Sequence, residues 1–283
     1  MSPIHIVTDS TSDIPAEVRK RLGIEMVPLK VHFGKETYQD AVTIQTDEFY
    51  RKLVDSKELP TTSQPSPVEF VDVYKRLLED PDAEILSIHL SSALSGTYQS
   101  AVLAKSLLNN SPRITVIDSK SASYGFGMLV VAAAELAKQD ANQQDIQDKI
   151  RRMRGGTRLY FLVDTLEYLY KGGRIGKASA LFGSLLNIKP ILTIDDEGEV
   201  TPVDKVRGHK KAVARIISLL KEDFADQPIH LTVANGKAPD AAQELEAMVK
   251  ENLNAADSLH TVIGPVIGTH VGPGVIAVFA SRA

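Results

Sequence analysis

Ile85-Leu86-Ser87-Ile88-His89-Leu90-Ser91-Ser92-Ala93-Leu94-Ser95-Gly96-Thr97-Tyr98 is the stretch on which the fold turns. Its first six residues form a short apolar run ending in a polar turn, the pattern of a buried strand. Residues 98–105 suit a helix. Ser91, Ser92, Ser95 and Thr97 therefore lie at the mouth of a strand-to-helix turn. Gly96 has no Cβ and lets backbone approach a ligand closely. The first N–H groups of a helix lack intrahelical partners, so these hydroxyls and N–H groups together suit an anion such as a carboxylate or phosphate. Ser95 alone reads equally well as a plain helix N-cap; so many hydroxyls in one turn exceed what a cap requires. A second cluster, Thr61-Thr62-Ser63-Gln64-Pro65, reads as a loop, and the two clusters are expected to converge.

Strands and helices alternate on both sides of this turn. Residues 4–7 form a first strand, followed by the polar loop Thr8-Asp9-Ser10-Thr11-Ser12-Asp13. Open α/β sheets place ligands outside such carboxyl ends. Pro15 suits the first turn of a helix over 16–22 that stops at Gly23. Residues 26–33 read as one edge-type strand, because Pro28 cannot donate to a ladder. A short helix spans 46–53. Ser66-Pro67-Val68-Glu69 carries the capping-box spacing, and Val68, Val71, Tyr74, Leu77 and Leu78 give the following helix one buried face. A strand over 114–117 ends in Asp118-Ser119-Lys120-Ser121. A very apolar helix over 128–136 and a polar-faced one over 141–153 come next. This alternation predicts a parallel sheet covered by helices on both faces.

The pattern changes after Arg154-Gly155-Gly156. A strand over 159–163 leads to Asp164-Thr165-Leu166-Glu167, which caps a short helix broken at Lys171-Gly172-Gly173. An apolar helix is expected over 178–186. Strands over 190–194 and 200–203 flank Asp196-Glu197-Gly198, a hairpin signal. An amphipathic helix over 208–221, a strand over 229–233 with a turn at Asn235-Gly236, a helix over 241–253 and strands over 261–263 and 275–279 complete the chain. Hairpins and fewer crossovers predict an α+β domain with a mainly antiparallel sheet. The expected fold class is thus α/β: an N-terminal α/β/α domain over 1–155 carrying the hydroxyl-rich head-group site, a C-terminal α+β domain over 156–283, and a ligand between them.

With 283 residues, 43% of them hydrophobic, the chain can bury a sizeable core. A net charge of −4 argues against general attraction to nucleic acid or anionic membrane. The absence of cysteine removes disulfides, thiolate nucleophiles and cysteine metal sites together. The first residues read as a strand start rather than a signal peptide, and no apolar run reaches the roughly 18 residues of a membrane span. A cytoplasmic protein without stable membrane insertion is the expectation.

Motifs narrow the chemistry mainly by failing. Gly172-Gly173-Arg174-Ile175-Gly176-Lys177-Ala178 glances at a phosphate loop, but its glycines are misplaced and Ala178 offers magnesium no hydroxyl. Gly125-Phe126-Gly127 lacks the third glycine of a dinucleotide fingerprint. Neither a Gly-x-Ser-x-Gly elbow nor paired histidines at metal spacing occur. Asp195-Asp196-Glu197 has the composition of a calcium loop without its spacing and reads as a solvated hairpin tip. Arg174, between glycines, could clamp a carboxylate or phosphate or pair on the surface with an acid. His270, in Gly268-Thr269-His270-Val271-Gly272-Pro273-Gly274, implies backbone crowding or a tight loop; it could donate to an anionic head group, shuttle a proton or be structural. The basic cluster Lys205-Val206-Arg207-Gly208-His209-Lys210-Lys211 lacks the interleaved aromatics of a nucleic-acid groove. It reads as a solvated helix start or a patch for an acidic partner or phosphate. The apolar segments 128–136 and 178–186 suit core, with a tunnel wall as the alternative.

Taken in order, Ile6-Val7-Thr8-Asp9-Ser10-Thr11-Ser12-Asp13-Ile14-Pro15, Thr61-Thr62-Ser63-Gln64-Pro65-Ser66-Pro67, Ser91-Ser92-Ala93-Leu94-Ser95-Gly96-Thr97-Tyr98, Leu169-Tyr170-Lys171-Gly172-Gly173-Arg174-Ile175 and Gly268-Thr269-His270-Val271-Gly272-Pro273-Gly274 resemble the DegV family over essentially the whole chain. The resemblance implies two α/β domains with one long-chain fatty acid, such as palmitate, buried between them. It implies a carrier without catalysis of its own and without a cofactor. Its partners would be a fatty acid kinase catalytic subunit, which phosphorylates the carboxylate, and an acyltransferase that uses the acyl phosphate for phospholipid synthesis. Matched residue by residue, Thr62 and Ser95 would hold the carboxylate, with Ser63, Gly96, Arg174 and His270 as head-group neighbours. Two other readings stay open: an enzyme acting on a small phosphorylated or carboxylated metabolite, with His270 as acid or base, and a nucleic-acid or regulatory module, which the charge disfavours.

Overall fold

The computed structural model describes residues 3–183 and 188–283. β1 (Ile4–Asp9), α1 (Ala16–Leu22) and β2 (Glu25–Val27) open the chain. β3 (Lys30–Phe33), β4 (Glu36–Gln39), α2 (Thr46–Asp55) and β5 (Thr61–Ser63) follow. Then come α3 (Pro67–Leu77), β6 (Glu84–His89), α4 (Thr97–Leu107), β7 (Ile114–Asp118), α5 (Tyr124–Lys138) and α6 (Gln143–Gly156). The rest of the chain adds β8 (Arg158–Leu162), α7 (Glu167–Lys171), β9 (Ile188–Ile194), β10 (Val200–Arg207), α8 (His209–Phe224) and β11 (Ile229–Gly236). It ends with α9 (Pro239–Asn252), β12 (Ala255–Val262), α10 (Pro265–Val271) and β13 (Val275–Arg282).

Among the described residues three sheets result. A parallel sheet runs β2-β1-β6-β7, and a three-stranded antiparallel sheet runs β4-β3-β5. A six-stranded sheet runs β10-β9-β8-β13-β11-β12 and is antiparallel except for the β11–β12 pair. The expected mixture of a parallel and a mainly antiparallel sheet is therefore present. Successive residues of a strand face opposite sides. In β6, Leu86 and Ile88 pack with Phe126 and Leu129 of α5, while Ile85 packs with Phe70 and Tyr74 of α3. In β13, Ile276, Val278 and Ala280 meet α8 and α9, while Ala277 and Phe279 join the α5 core. That shared core ties the parallel sheet to the six-stranded one.

The polar members of β6 have a place too. Ser87 and His89 face α3, where Tyr74 donates its hydroxyl to Ser87 Oγ (2.8 Å). Ser87 Oγ meets His89 Nε2 at 2.7 Å, and His89 Nδ1 meets Asp9 Oδ2 at 3.0 Å. Ser66 completes its capping box on α3.

Several expectations are corrected. The single strand over 26–33 is two, in different sheets, because Pro28 ends one ladder and Leu29 turns away to donate its N–H to Ser10 Oγ (3.1 Å). Thr61-Thr62-Ser63 is not a loop but β5, paired to β3; three residues are too few to show a period. β4 went unread. Asn235-Gly236 continues β11 instead of turning. The stretch around His270 is a helix, α10, with Pro265 in its first turn. Of the two readings of its glycines, crowding holds at Gly268 and the loop does not: a Cβ there would stand 2.7 Å from the Phe49 ring and 2.8 Å from the Tyr50 hydroxyl. Pro15 precedes α1 rather than entering it. The helix over 178–186 is replaced at its start by a 3-10 turn, Gly176–Leu181, and its end, 184–186, lies outside the described residues.

The buried chain Tyr74–Ser87–His89–Asp9 sets a stability test. His89→Ala strips a partner from a carboxylate that water does not reach and is expected to cost about 3 kcal/mol. Ser66→Ala, which removes an exposed cap, should cost about 1 kcal/mol. Urea unfolding of both variants checks the ranking; equal losses would contradict it.

Candidate functional site

The strand-to-helix turn is built from both ends. Asp9 Oδ2 accepts the Leu90 N–H (3.2 Å), which fixes where the turn leaves β6. Ser91 donates its N–H to the Ser121 carbonyl (2.8 Å) and its hydroxyl to the Gly198 carbonyl (2.9 Å) at the β9–β10 hairpin tip. The tip fits because Gly198 sits at φ +87, and a Cβ there would come within 2.0 Å of Ser91 Oγ. Ser92 Oγ is taken by Lys120 Nζ (3.2 Å). Thr97 is fully buried. Ser95 is not the N-cap, a place held by Gly96; its Oγ accepts the Thr97 N–H (3.3 Å) and meets Thr97 Oγ1 at 2.9 Å.

Ser95 lines a cavity of about 870 Å³, open mouth included, together with Thr62, Gln64, Arg174 and His270. Apart from these groups and Ser123 the walls are apolar: Leu159 and Phe161 of β8, Val275, Ala277 and Phe279 of β13, and one face of α10. The face follows helical spacing, with Val266, Ile267, His270 and Val271 of α10 lining the cavity and Ile263 just before the helix joining them.

Each polar group is placed by its element. β5 turns Thr62 to the cavity and Ser63 away, as the two-residue period requires. Thr62 Oγ1 meets His270 Nε2 at 2.8 Å, while Ser63 Oγ meets His32 Nε2 at 2.9 Å. Ser63 is thus not brought to the cavity. Gly96 does not line it either; a Cβ there would lie 2.4 Å from the Gln64 amide, so the glycine makes room for Gln64. Arg174 Nε donates to the Leu94 carbonyl (3.0 Å) and Nη1 to the Gly172 carbonyl (2.8 Å), clamping the serine turn from the other half of the chain. A guanidinium has five N–H donors, so two bonds do not exhaust it. His270 Nδ1 is buried without a partner. Burial, and then the nearby Arg174 charge, hold its imidazole down to a pKa of about 4. It is neutral near pH 7.

Sequence reasoning missed Gln64 and Ser123. Gln64 carried a signal, standing two residues after Thr62. Ser123 carried none. The tunnel-wall alternative for 128–136 fails, because none of those residues lines the cavity; Leu129, Val130, Ala133 and Ala134 pack in the core.

The Ser87–His89–Asp9 chain has the connectivity of a nucleophile, base and orienting acid. All three side chains are fully buried, however, and none lines the cavity, so no substrate reaches them. No cluster of three or more metal-ligating side chains occurs among the described residues. Nor is any helix among them long and apolar enough to cross a membrane.

A family model described as "Uncharacterised protein, DegV family" matches residues 3–283. A DegV domain-containing protein of Caldanaerobacter subterraneus subsp. tengcongensis is 41% identical over 286 aligned residues, covering 99% of each chain. Among solved structures, a DegV family protein from Thermus thermophilus, described for its fatty acid binding, superposes with a TM-score of 0.93 at 38% identity over 99% of this chain and 100% of the other. DegV of Bacillus subtilis, described as a fatty acid binding protein, gives 0.89 at 36% identity over the whole of both chains. A match of this extent, carried by sequence and by fold alike, makes the chain a member of the DegV family.

Proposed function

We propose that the chain binds one long-chain fatty acid in the cavity between its two halves, 1–155 and 156–283. Thr62 and Ser95 hold the carboxylate, with Arg174 and His270 beside it. One observation carries the reading: hydroxyls, an imidazole and a guanidinium gather in one cavity whose remaining walls are almost wholly apolar. A buried carboxylate is costly unless hydrogen-bonded, and these groups supply the bonds. Each buried methylene adds about 0.8 kcal/mol, so the alkyl chain supplies most of the affinity and the polar end fixes orientation. The fatty acid binding of the Thermus and Bacillus relatives supports the same ligand.

The further role is that of a cytoplasmic carrier, without catalysis of its own. It presents the acid to a fatty acid kinase, and an acyltransferase uses the resulting acyl phosphate for phospholipid synthesis. The absence of a nucleotide motif in the sequence supports a phosphoryl donor held by a partner. The enzyme alternative would need an accessible nucleophile and base. The one hydroxyl–imidazole pair in the cavity, Thr62–His270, has no acid orienting the free His270 Nδ1.

Two outcomes test the reading. Organic extraction of purified protein, followed by mass spectrometry, should recover one fatty acid per chain; Thr62→Ala with Ser95→Ala should weaken retention roughly 10-fold or more and abolish phosphorylation by the kinase. Unchanged phosphorylation in the double variant would sink the assignment. The second outcome concerns His270. An unfolded histidine gains its proton below about pH 6.5, whereas folded His270 resists until about 4. Stability from this group is therefore whole above pH 6.5 and falls by about 3 kcal/mol as pH drops through that window. NMR titration of ligand-free protein should show the low midpoint. Palmitate should raise it by bringing a negative charge alongside. A ligand-free midpoint near 6.5 would contradict the buried placement.

A further inference from the structure

Besides Gln64, which packs against Gly96, Ser123 is the described polar cavity-lining side chain that belongs to none of the head-group contacts above. It precedes α5 at φ 53 and ψ −148, in the left-handed half of backbone space. Its hydroxyl makes a short hydrogen bond to Asp13 Oδ2, and Asp13 Oδ1 accepts the Gly264 N–H (3.0 Å) just before α10. Thr261 Oγ1 also donates to the Asp13 carbonyl (2.7 Å). The pair is thus anchored to the start of α10, whereas His270 stands six residues on, near its end. At 1.5 Å per residue that separation is roughly 9 Å. The cavity follows the same helix face from Ile263 to Val271. Apolar side chains, Val266, Ile267, Ala277 and Phe279 among them, make up the wall around this interval. An acyl chain whose carboxylate sits at Thr62 and Ser95 and that follows this helix face would reach the Ser123 end of the cavity part-way along its length.

We propose that Ser123, held by Asp13, is a mid-chain polar station that admits and orients long-chain fatty acids bearing a hydroxyl on a central carbon. The inference rests on the fatty acid reading of the cavity. A serine oxygen has one donor and two acceptor sites. The Asp13 bond occupies only part of that capacity, and Ser123 is among the residues that line the cavity. A ligand hydroxyl both donates and accepts, so it can meet Ser123 Oγ whichever way the proton between Ser123 and Asp13 lies. Elsewhere along the apolar walls a buried hydroxyl would go unpaired, at a penalty that discriminates against it. At this one station it is satisfied.

The test compares stearate with a set of hydroxystearates whose hydroxyl is stepped along the middle of the chain. Binding of each is measured by calorimetry to wild type, Ser123→Ala and Ser123→Gly after the co-purified lipid has been stripped. Glycine suits the backbone at φ 53, so it keeps the test open if alanine misfolds. At least one mid-chain hydroxystearate should bind wild type as tightly as stearate and lose roughly 10-fold in the variants, with stearate changing less than about 2-fold. Exclusion of every hydroxystearate from wild type, or equal losses for both ligand types in the variants, overturns the station. Failure of wild type to bind stearate would instead overturn the fatty acid reading itself.

Discussion

A buried carboxylate with every acceptor site filled governs the layout of this molecule. Asp9 is fully buried. Its Oδ1 accepts the Thr11 N–H and hydroxyl, and its Oδ2 accepts from His89 Nδ1 and the Leu90 N–H. A carboxylate offers about four such sites, and a buried charge is tolerable only when they are met. These bonds lock the carboxyl ends of β1 and β6 together and define where the serine turn begins. Asp40 shows the opposite case. It is equally buried, and desolvation outweighs the bonds that Ser10 and the Val266 backbone offer it, pushing its carboxyl up to about 7.

From that anchor the site is completed by the second half of the chain. The serine turn belongs to the first half, but the Gly198 carbonyl receives Ser91 and Arg174 holds the Leu94 carbonyl. The hydroxyls divide their labour accordingly. Ser91 ties the turn to the hairpin, Ser92 meets Lys120, and Thr97 orients Ser95. Only Ser95 of this group lines the cavity. Residues from early and late in the chain thus line one pocket, and its geometry depends on the core shared by α5 and β13.

The long elements were legible because periodicity and caps agree over many residues. The apolar run of β6, the box at Ser66 and the hairpin around Gly198 all appear in the fold. The hydroxyl clusters of Thr62 and Ser95 could be named, and both line one cavity. What escaped has physical causes. A three-residue strand such as β5 is too short to have a readable period. Glycine is ambiguous, marking either a turn or a close approach; at Gly268 it was the second, so a helix looked like a loop. The cavity walls come from alternate residues of β8 and β13. Each such residue looks like ordinary core until the opposing layer is known. Ser123 is polar by one atom, and only its distant partner Asp13 distinguishes it.

The charge state of the polar end closes the physical account. Protonating His270 would put two positive charges side by side, since Arg174 is always charged. Burial and that neighbour instead keep the imidazole neutral. Arg174 then supplies a single positive charge, the complement of one carboxylate and no more. Thr62 is already bonded to His270 and Ser95 to Thr97, while Arg174 is fixed by two carbonyls. In the proposed reading an entering carboxylate meets donors whose ordering cost folding has already met. Little of the free energy from burying the alkyl chain need then be spent on arranging the head-group site.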